Sequence, residues 1–352
     1  MKIKAVILAN ERPDEHLLWI RACLKRRESV DYRVVNLTSV SWLEEVEKEP
    51  FDILLAKPGG MTSAFKQLYD ERIYILSNVK PYKVFPSPEE IFIYENKRFL
   101  SYWLKANGIP HPATDVFYSE AEAEEFLSKT GYPIVAKVNI GASGSGVVIL
   151  HTKAEAVKYL SKVFGGRGAY RRHGPNLRSG NWGRRALYYF SHPKEFGSRL
   201  SIYRTVGRDP QKDFVIFQEY IPHDFEWRTV RTGDSFFAHK KLKSGEKASG
   251  SLLKRYCNPP LSLLDFVKEI TDRHEFYSQA IDIFETDRGY LVNEMQCIFG
   301  QSDPHQMEVD GVPGRYRFID GQWLFEPGDY NGNECYDARI EWVIEQYGNR
   351  KS

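Results

Sequence analysis

The chain has 352 residues, 42% of them hydrophobic and 27% charged, and a formal net charge of +2. This is a folded-protein composition, long enough for two or three packed domains, and the charge is too small for its size to point to an electrostatic nucleic-acid binder. The start, MKIKAVILANERPDE, holds an apolar run too short for a signal-peptide core, and no later stretch reaches the roughly 18 apolar residues of a membrane span. A cytoplasmic protein without a membrane partner is the expectation.

From the N-terminus, IKAVIL (3–8), YRVVNL (32–37), DILLA (52–56) and RIYILS (72–77) read as short strands separated by helix-compatible stretches. The rhythm predicts βαβ units, a parallel sheet and a Rossmann-like α/β domain ending near Pro86. ANERPDE follows the first strand where a dinucleotide-binding turn would carry glycines, which argues against that ligand. Leu100, Trp103 and Leu104 then give helical spacing, stopped at Asn107-Gly108 with Pro110 and Pro112 beyond. Residues 113–164 read strand, helix, strand, glycine loop, strand, helix. From 165 to 200 the pattern breaks into a segment rich in Gly, Arg and Tyr, a long insertion or loop. DFVIFQEYI (213–221), WRTVRT (227–232) and SFFAHKKLK (235–243) predict an antiparallel set, and LLDFVKEITDRHEFYSQA (263–280) a helix. AIDIFET and GYLVNEMQ predict a hairpin turning at Asp287-Arg288-Gly289. Cys23, Cys257, Cys297 and Cys335 are scattered, with no CxxC pair and no zinc-like spacing, and read as reduced, packed thiols.

Several stretches carry chemistry. In PIVAKVNIGASGSGVVIL, glycines and serines between two strands let backbone N–H groups converge on a phosphate, although such a loop also serves as a plain hairpin. Lys137 precedes it on a strand and either reaches toward that phosphate or snorkels to solvent. QEYI, with Glu219, and then Glu226 offer carboxylates for an adenosine or are solvated loop charges. Asp282 on one hairpin strand faces Glu294 and Gln296 on the other, because alternation puts 294 and 296 on one face. Three oxygen donors suit Mg²⁺; a solvated sheet face reads the same way.

Taken in order, Lys97 on its helix, Lys137 before GASGSG, QEYI, EWR, the IDI strand and the NEMQ strand resemble the ATP-grasp superfamily, above all its RimK-like and glutathione-synthetase-like carboxylate–amine ligases. The resemblance covers about residues 1–300. It implies an α/β (α+β) ATP-grasp fold with a Rossmann-like pre-ATP-grasp domain at 1–90 and the ATP-grasp domain at 91–300. The lid subdomain would span about 111–220, and 301–352 would be a C-terminal extension with no counterpart. It further implies ATP and Mg²⁺ (or Mn²⁺) as cofactors. Lys97 and Lys137 would meet the α- and β-phosphates, and Ser143, Gly144, Ser145 and Gly146 would cover the triphosphate. Glu219, Tyr220 and Ile221 would receive adenine, Glu226 the ribose, and Asp282, Glu294 and Gln296 the metal. Arg228 and Lys240 would be the catalytic cations. The family usually ends the metal motif in Glu-x-Asn, so Gln296 departs from it.

The reaction so implied is ATP-dependent ligation of a carboxylate substrate to an amine acceptor through an acyl phosphate. A kinase acting on a hydroxyl and a non-catalytic nucleotide-binding protein are the alternatives, and a homo-oligomer is left open. The insertion, with Arg167, Arg171, Arg172, Arg178, Arg184 and Arg185 among Tyr170, Trp182, Tyr188 and Tyr189, is expected either to be a solvated loop or to close over an anionic or polymeric acceptor.

Overall fold

The computed structural model describes residues 2–141, 145–171, 204–244, 247–248, 253–299 and 303–348. They pack as two compact units: a larger one of Met1–Gly59, Phe65–Pro112 and Ile221–Ser352, and a smaller one of Gly60–Ala64 and Ala113–Tyr220.

In the larger unit, β1 (Ile3–Ala9), α1 (Leu17–Lys25), β2 (Val30–Asn36), α2 (Trp42–Glu47), β3 (Ile53–Ala56), α3 (Ser63–Tyr74) and β4 (Val84–Phe85) build a parallel sheet in the order β2-β1-β3-β4. β1 and β3 are near-continuous apolar runs because both of their faces are covered. RIYILS is not a strand. Tyr69, Ile73 and Leu76 are fully buried at helical spacing, so α3 runs through Tyr74 into a π-helical turn at Ile75–Val79. The fourth strand comes later, at β4. Next, α4 (Pro88–Ile93) starts with a capping box in which Ser87 and Glu90 satisfy each other's backbone N–H, with Pro88 at the first helical position. α5 (Lys97–Ala106) is capped by Asn96, whose side chain accepts from Phe99 N.

The smaller unit holds β5 (Thr114–Phe117), α6 (Glu120–Lys129), β6 (Ile134–Lys137), β7 (Val147–Leu150), α7 (Lys153–Phe164) and β8 (Val215–Glu219), with the sheet order β5-β8-β6-β7. The strand–helix alternation over 113–164 is as the sequence predicts. β8, however, pairs with β5 and β6, not with the strands that follow it, so the predicted antiparallel set splits between two sheets.

Those following strands belong to the larger unit: β9 (Phe225–Thr232), β10 (Ser235–Ser244), β11 (Lys247–Ala248), β12 (Lys254–Arg255), β13 (Ser278–Thr286), β14 (Gly289–Gln296), β15 (Glu308–Val309), β16 (Val312–Ile319) and β17 (Gln322–Pro327). Among the described residues their backbone order is β14-β13-β9-β10-β16-β15, with β11 and β12 on β10 and β17 on β16. α8 (Leu261–Arg273) ends before the predicted SQA tail, which opens β13. The β13–β14 hairpin turns as expected, helped by Gly289 at φ +92°. The last helix, α9 (Tyr336–Gly348), returns to the parallel sheet, where Tyr336, Ile340 and Val343 join Trp19 in one core. Trp19 and Tyr336 meet edge to face at 4.9 Å. No helix among the described residues is long and apolar enough to cross a membrane.

Candidate active site

The antiparallel sheet has one charged face. Register sets Glu226 opposite Lys241, Arg228 opposite His239, Asp282 opposite Arg228, and Glu294 opposite Asp282. Paired residues in an antiparallel ladder share a face, so four strands deliver their ionisable side chains to one patch. Arg228 Nη1 donates to Asp282 Oδ1 at 2.9 Å, and Lys241 Nζ donates to Asp282 Oδ2 at 2.6 Å and to Glu226 Oε2 at 3.2 Å. Asn293 Nδ2 donates to the other Glu226 oxygen at 3.1 Å. Glu294 accepts from Gln296 Nε2 at 3.2 Å and lies 3.7 Å from Lys97 Nζ, which enters from the first turn of α5.

Burial makes these pairings costly to break. Asp282 is 1% exposed. Burial alone would raise its carboxyl, but Arg228 and Lys241 outweigh it and hold the group below the usual carboxylate range. The same contest at Lys241 ends with the ammonium raised, since Asp282 and Glu226 overcome the burial that opposes charge. His239 goes the other way: burial, aided by Lys254, pushes its imidazole down to about 3, so it is neutral at neutral pH, with Nδ1 2.8 Å from the Gln306 carbonyl oxygen.

β13 and β14 slip register between Asp282 and Ile283, where Asp282 pairs with Glu294 and Ile283 with Val292. Asn293 is the extra residue of this β-bulge. Its side chain reaches Glu226, so Asn293 and Glu294, although consecutive, both serve the charged face.

Lys240 stands apart from this set. It lies on the opposite face of β10, its ammonium 3.7 Å from the Phe225 ring centroid and 4.8 Å from that of Trp227, a cation–π arrangement against the packed side of the sheet. The lysine brought to Arg228 and Asp282 is its neighbour, Lys241. Sequence reading missed Lys241 and Asn293, yet a signal for the first exists. Gly233-Asp234 is a two-residue turn that sets Thr232 opposite Ser235, and counting back from it pairs Lys241 with Glu226.

The smaller unit supplies the other predicted residues. Lys137 closes β6 and is 7% exposed. Ser143 and Gly144 lie outside the described residues. At the loop's far end, Gly146 accepts at its carbonyl from Val138 N at 2.8 Å, and a Cβ there would fall 2.7 Å from Val138 Cβ. Ser145 precedes it. Gly141 takes φ +140°, and a Cβ on it would come within 2.2 Å of Arg171 Cδ. Arg171, predicted as an acceptor-binding side chain of the insertion, is thus buried over the glycine loop, and its guanidinium donates to the Met61 carbonyl. Arg172, Arg178, Arg184, Arg185, Trp182, Tyr188 and Tyr189 lie outside the described residues, whereas Arg167 is exposed. Glu219 ends β8, its carboxylate accepting from Ala113 N at 3.3 Å. Tyr220 is half-buried and closes this unit, and Ile221, the first residue back in the larger unit, packs with Phe284 and Leu291.

A family profile for the ATP-grasp (A) domain of phosphoribosylglycinamide synthetase matches residues 95–172, which run from α5 through the glycine loop. D-alanine–D-alanine ligase from Bacillus anthracis superposes with a TM-score of 0.55 at 14% identity, over 97% of this chain and 96% of that one. The chain has the ATP-grasp fold. A RimK-domain ATP-grasp protein from Sphaerobacter thermophilus is similar over 97% of this chain and 99% of its own, with a TM-score of 0.53 and 16% identity. In sequence, the carbamoyl phosphate synthase large chain of Methanocorpusculum labreanum is 26% identical over 118 residues, 34% of this chain. The chain spans only 11% of that relative's length. The ATP-grasp resemblance read from Lys97, Lys137, QEYI, EWR and NEMQ therefore stands.

Among the described residues, no group of three or more His, Cys, Asp and Glu side chains could hold a metal ion. Asp282 and Glu294 are two carboxylates opposed across one ladder, and Gln296, whose Nε2 is the atom turned to Glu294, keeps its amide oxygen as a third hard donor. These are the hard oxygen donors Mg²⁺ takes, but both Asp282 oxygens are engaged here by Arg228 and Lys241, so Asp282 would reach a metal only by giving up one of those cations.

Proposed function

We propose that this ATP-grasp protein is an ATP- and Mg²⁺-dependent ligase joining a carboxylate to an amine, with ADP and phosphate as the other products. The observation that carries the reading is the Arg228–Asp282–Lys241 array on one sheet face of this fold, beside Glu294 and Lys97. Charge-rich sites of this kind suit phosphoryl and acyl transfer, which require positioning and charge neutralisation more than a protein nucleophile. Ligases stand among the structural neighbours, which supports the same class.

In the proposed sequence a substrate carboxylate oxygen attacks the γ-phosphorus and ADP leaves, forming an acyl phosphate. The amine nitrogen then attacks the acyl carbon, phosphate leaves, and the nitrogen gives up a proton. Lys97 and Lys137 would bind the α- and β-phosphates, with Ser145 and Gly146 of the glycine loop beside them. Glu219 and the backbone of Tyr220 and Ile221 would take adenine, and Glu226 the ribose. Arg228 would face the γ-phosphate and the tetrahedral oxyanion, and we assign the second catalytic cation to Lys241 in place of Lys240. Asp282, Glu294 and Gln296 would hold Mg²⁺, which when bound neutralises phosphate charge.

The test is a screen of amino acids, peptides and sugar acids as carboxylates, each with an amine pool, for ADP and phosphate released in equal amounts. Hydroxylamine should divert the acyl phosphate to a hydroxamate. Release of ADP with phosphate retained on the product would make the protein a kinase.

A further inference from the structure

His223 lies in the short link between β8 and β9, three residues ahead of Glu226. Its ring packs on Phe284 at 4.7 Å, and its side chain is 8% exposed. Nδ1 lies 2.7 Å from the Ile221 carbonyl oxygen. A carbonyl oxygen only accepts, so the proton belongs on Nδ1, and the neutral ring presents a lone pair at Nε2. That nitrogen is buried with no hydrogen-bond partner among the described residues, and Glu226 Oε1 stands 4.0 Å from it.

The other side of this gap is fixed. Asn293 donates to Glu226 Oε1 and Lys241 to Oε2, which orients the carboxylate and leaves each oxygen a further lone pair. Two acceptors therefore face each other with no donor between them, and burial makes an unmet acceptor costly. A lone hydroxyl has one proton and meets only one of the two. A guest carrying two hydroxyls on adjacent carbons meets both, and the cis-diol of a ribose is such a guest. Glu226 is the residue to which the ribose is assigned above.

We propose that His223 selects ribose over deoxyribose, Nε2 accepting from one ribose hydroxyl while Glu226 Oε1 accepts from its neighbour. The inference rests on the nucleotide reading of this site and is independent of which carboxylate and amine are joined. A nucleotide that lacks either hydroxyl leaves one buried acceptor unmet, the situation in which a site built on hydrogen bonds discriminates most strongly.

Calorimetric titration of the full chain with ATP, 2′-deoxyATP and 3′-deoxyATP, each with Mg²⁺, tests it. The wild-type protein should bind each deoxy analogue at least about tenfold more weakly than ATP. His223→Phe keeps a ring against Phe284 but offers no acceptor. It should lose the discrimination against one analogue and keep it against the other, whose missing hydroxyl belongs to Glu226. His223→Leu, smaller and equally without an acceptor, should behave the same way, and His223→Gln, whose amide oxygen accepts, should keep both preferences. The Ile221 carbonyl loses its donor in the first two variants, an effect common to all three nucleotides, so the ratios of affinities decide. Equal binding of ATP and either analogue by the wild type, the mark of a gap filled by water alone, would overturn the assignment. So would both preferences surviving, or both vanishing, in a folded Phe or Leu variant. No binding of ATP at all would overturn the nucleotide reading itself and this assignment with it.

Discussion

The two sheets that carry the candidate nucleotide residues are built in opposite ways. In β5-β8-β6-β7 the inner strands β6 and β8 are apolar until their ends, Lys137 closing β6 and Gln218-Glu219 closing β8. In β14-β13-β9-β10 the charges lie mid-strand, buried, and neutralise one another across three ladders. A buried charge cannot be lost without stranding its partner, and Asp282 has two. Function and stability are therefore entangled in the second sheet.

The sharpest way to break this contrast is Asp282→Ala, which leaves Arg228 and Lys241 side by side without their carboxylate. A stability loss of about 3–5 kcal/mol is expected in denaturant unfolding. A loss under about 1 kcal/mol would put these pairs on the level of surface ion pairs and dissolve the contrast.

A second test concerns how the charged sheet is anchored. Both oxygens of Glu90 accept backbone N–H groups, from Ser87 at 2.8 Å and from Ser278, the first residue of β13, at 2.9 Å. Burial nevertheless raises its carboxyl from an ordinary 4.5 to about 8. The folded state thus holds this proton more tightly than the unfolded one, so the group's contribution to stability falls as pH rises from about 4.5 to about 8. Glu90→Gln should remove that part of the pH dependence, an effect on the order of a few kcal/mol, read from unfolding midpoints across the window. An unchanged pH profile would show that Glu90 titrates normally.

Lys137→Ala, on the small sheet, should weaken ATP binding by about 1.5–3 kcal/mol through one lost charge-assisted contact. Its unfolding midpoint should move less than that of Asp282→Ala. Calorimetry with ATP decides, and wild-type affinity would remove Lys137 from the phosphate site.

The smallest effect is expected at Lys240. Lys240→Met should cost about 0.5–1 kcal/mol of stability, the loss of a cation–π contact, with turnover within twofold of wild type. Lys241→Met should abolish turnover. Equal losses for the two neighbours would mean that the face of the sheet does not sort them.

What could be read from the sequence follows the range of the forces involved. β6 and β7 around the glycine loop, and the β13–β14 hairpin, are local units, but the turn alone sets Asp282 opposite Asn293, and only the bulge moves Asp282 onto Glu294. RIYILS misleads because a short apolar run looks the same in a strand and in a buried helix end, and only Tyr69, four residues before Ile73, discloses the period. The Lys240-Lys241 pair is ambiguous until the partner strand is known, since strand parity, not residue type, selects one. The return of α9 to Trp19 lies beyond any local signal, because nearly the whole chain separates the partners.

The bulge at Asn293 turns chain length into a constraint on chemistry. A strand acts as a reading frame of two, in which adding or removing a residue sends everything downstream to the other side. Here the frame is shifted once, between Val292 and Glu294, and the shift brings the adjacent side chains of Asn293 and Glu294 to one surface. Deleting Asn293 would restore an uninterrupted ladder and take away the Glu226 contact without altering any charge. Residue 293 is thus guarded by position as much as by identity: substitutions there are graded, while a single-codon deletion is all or nothing.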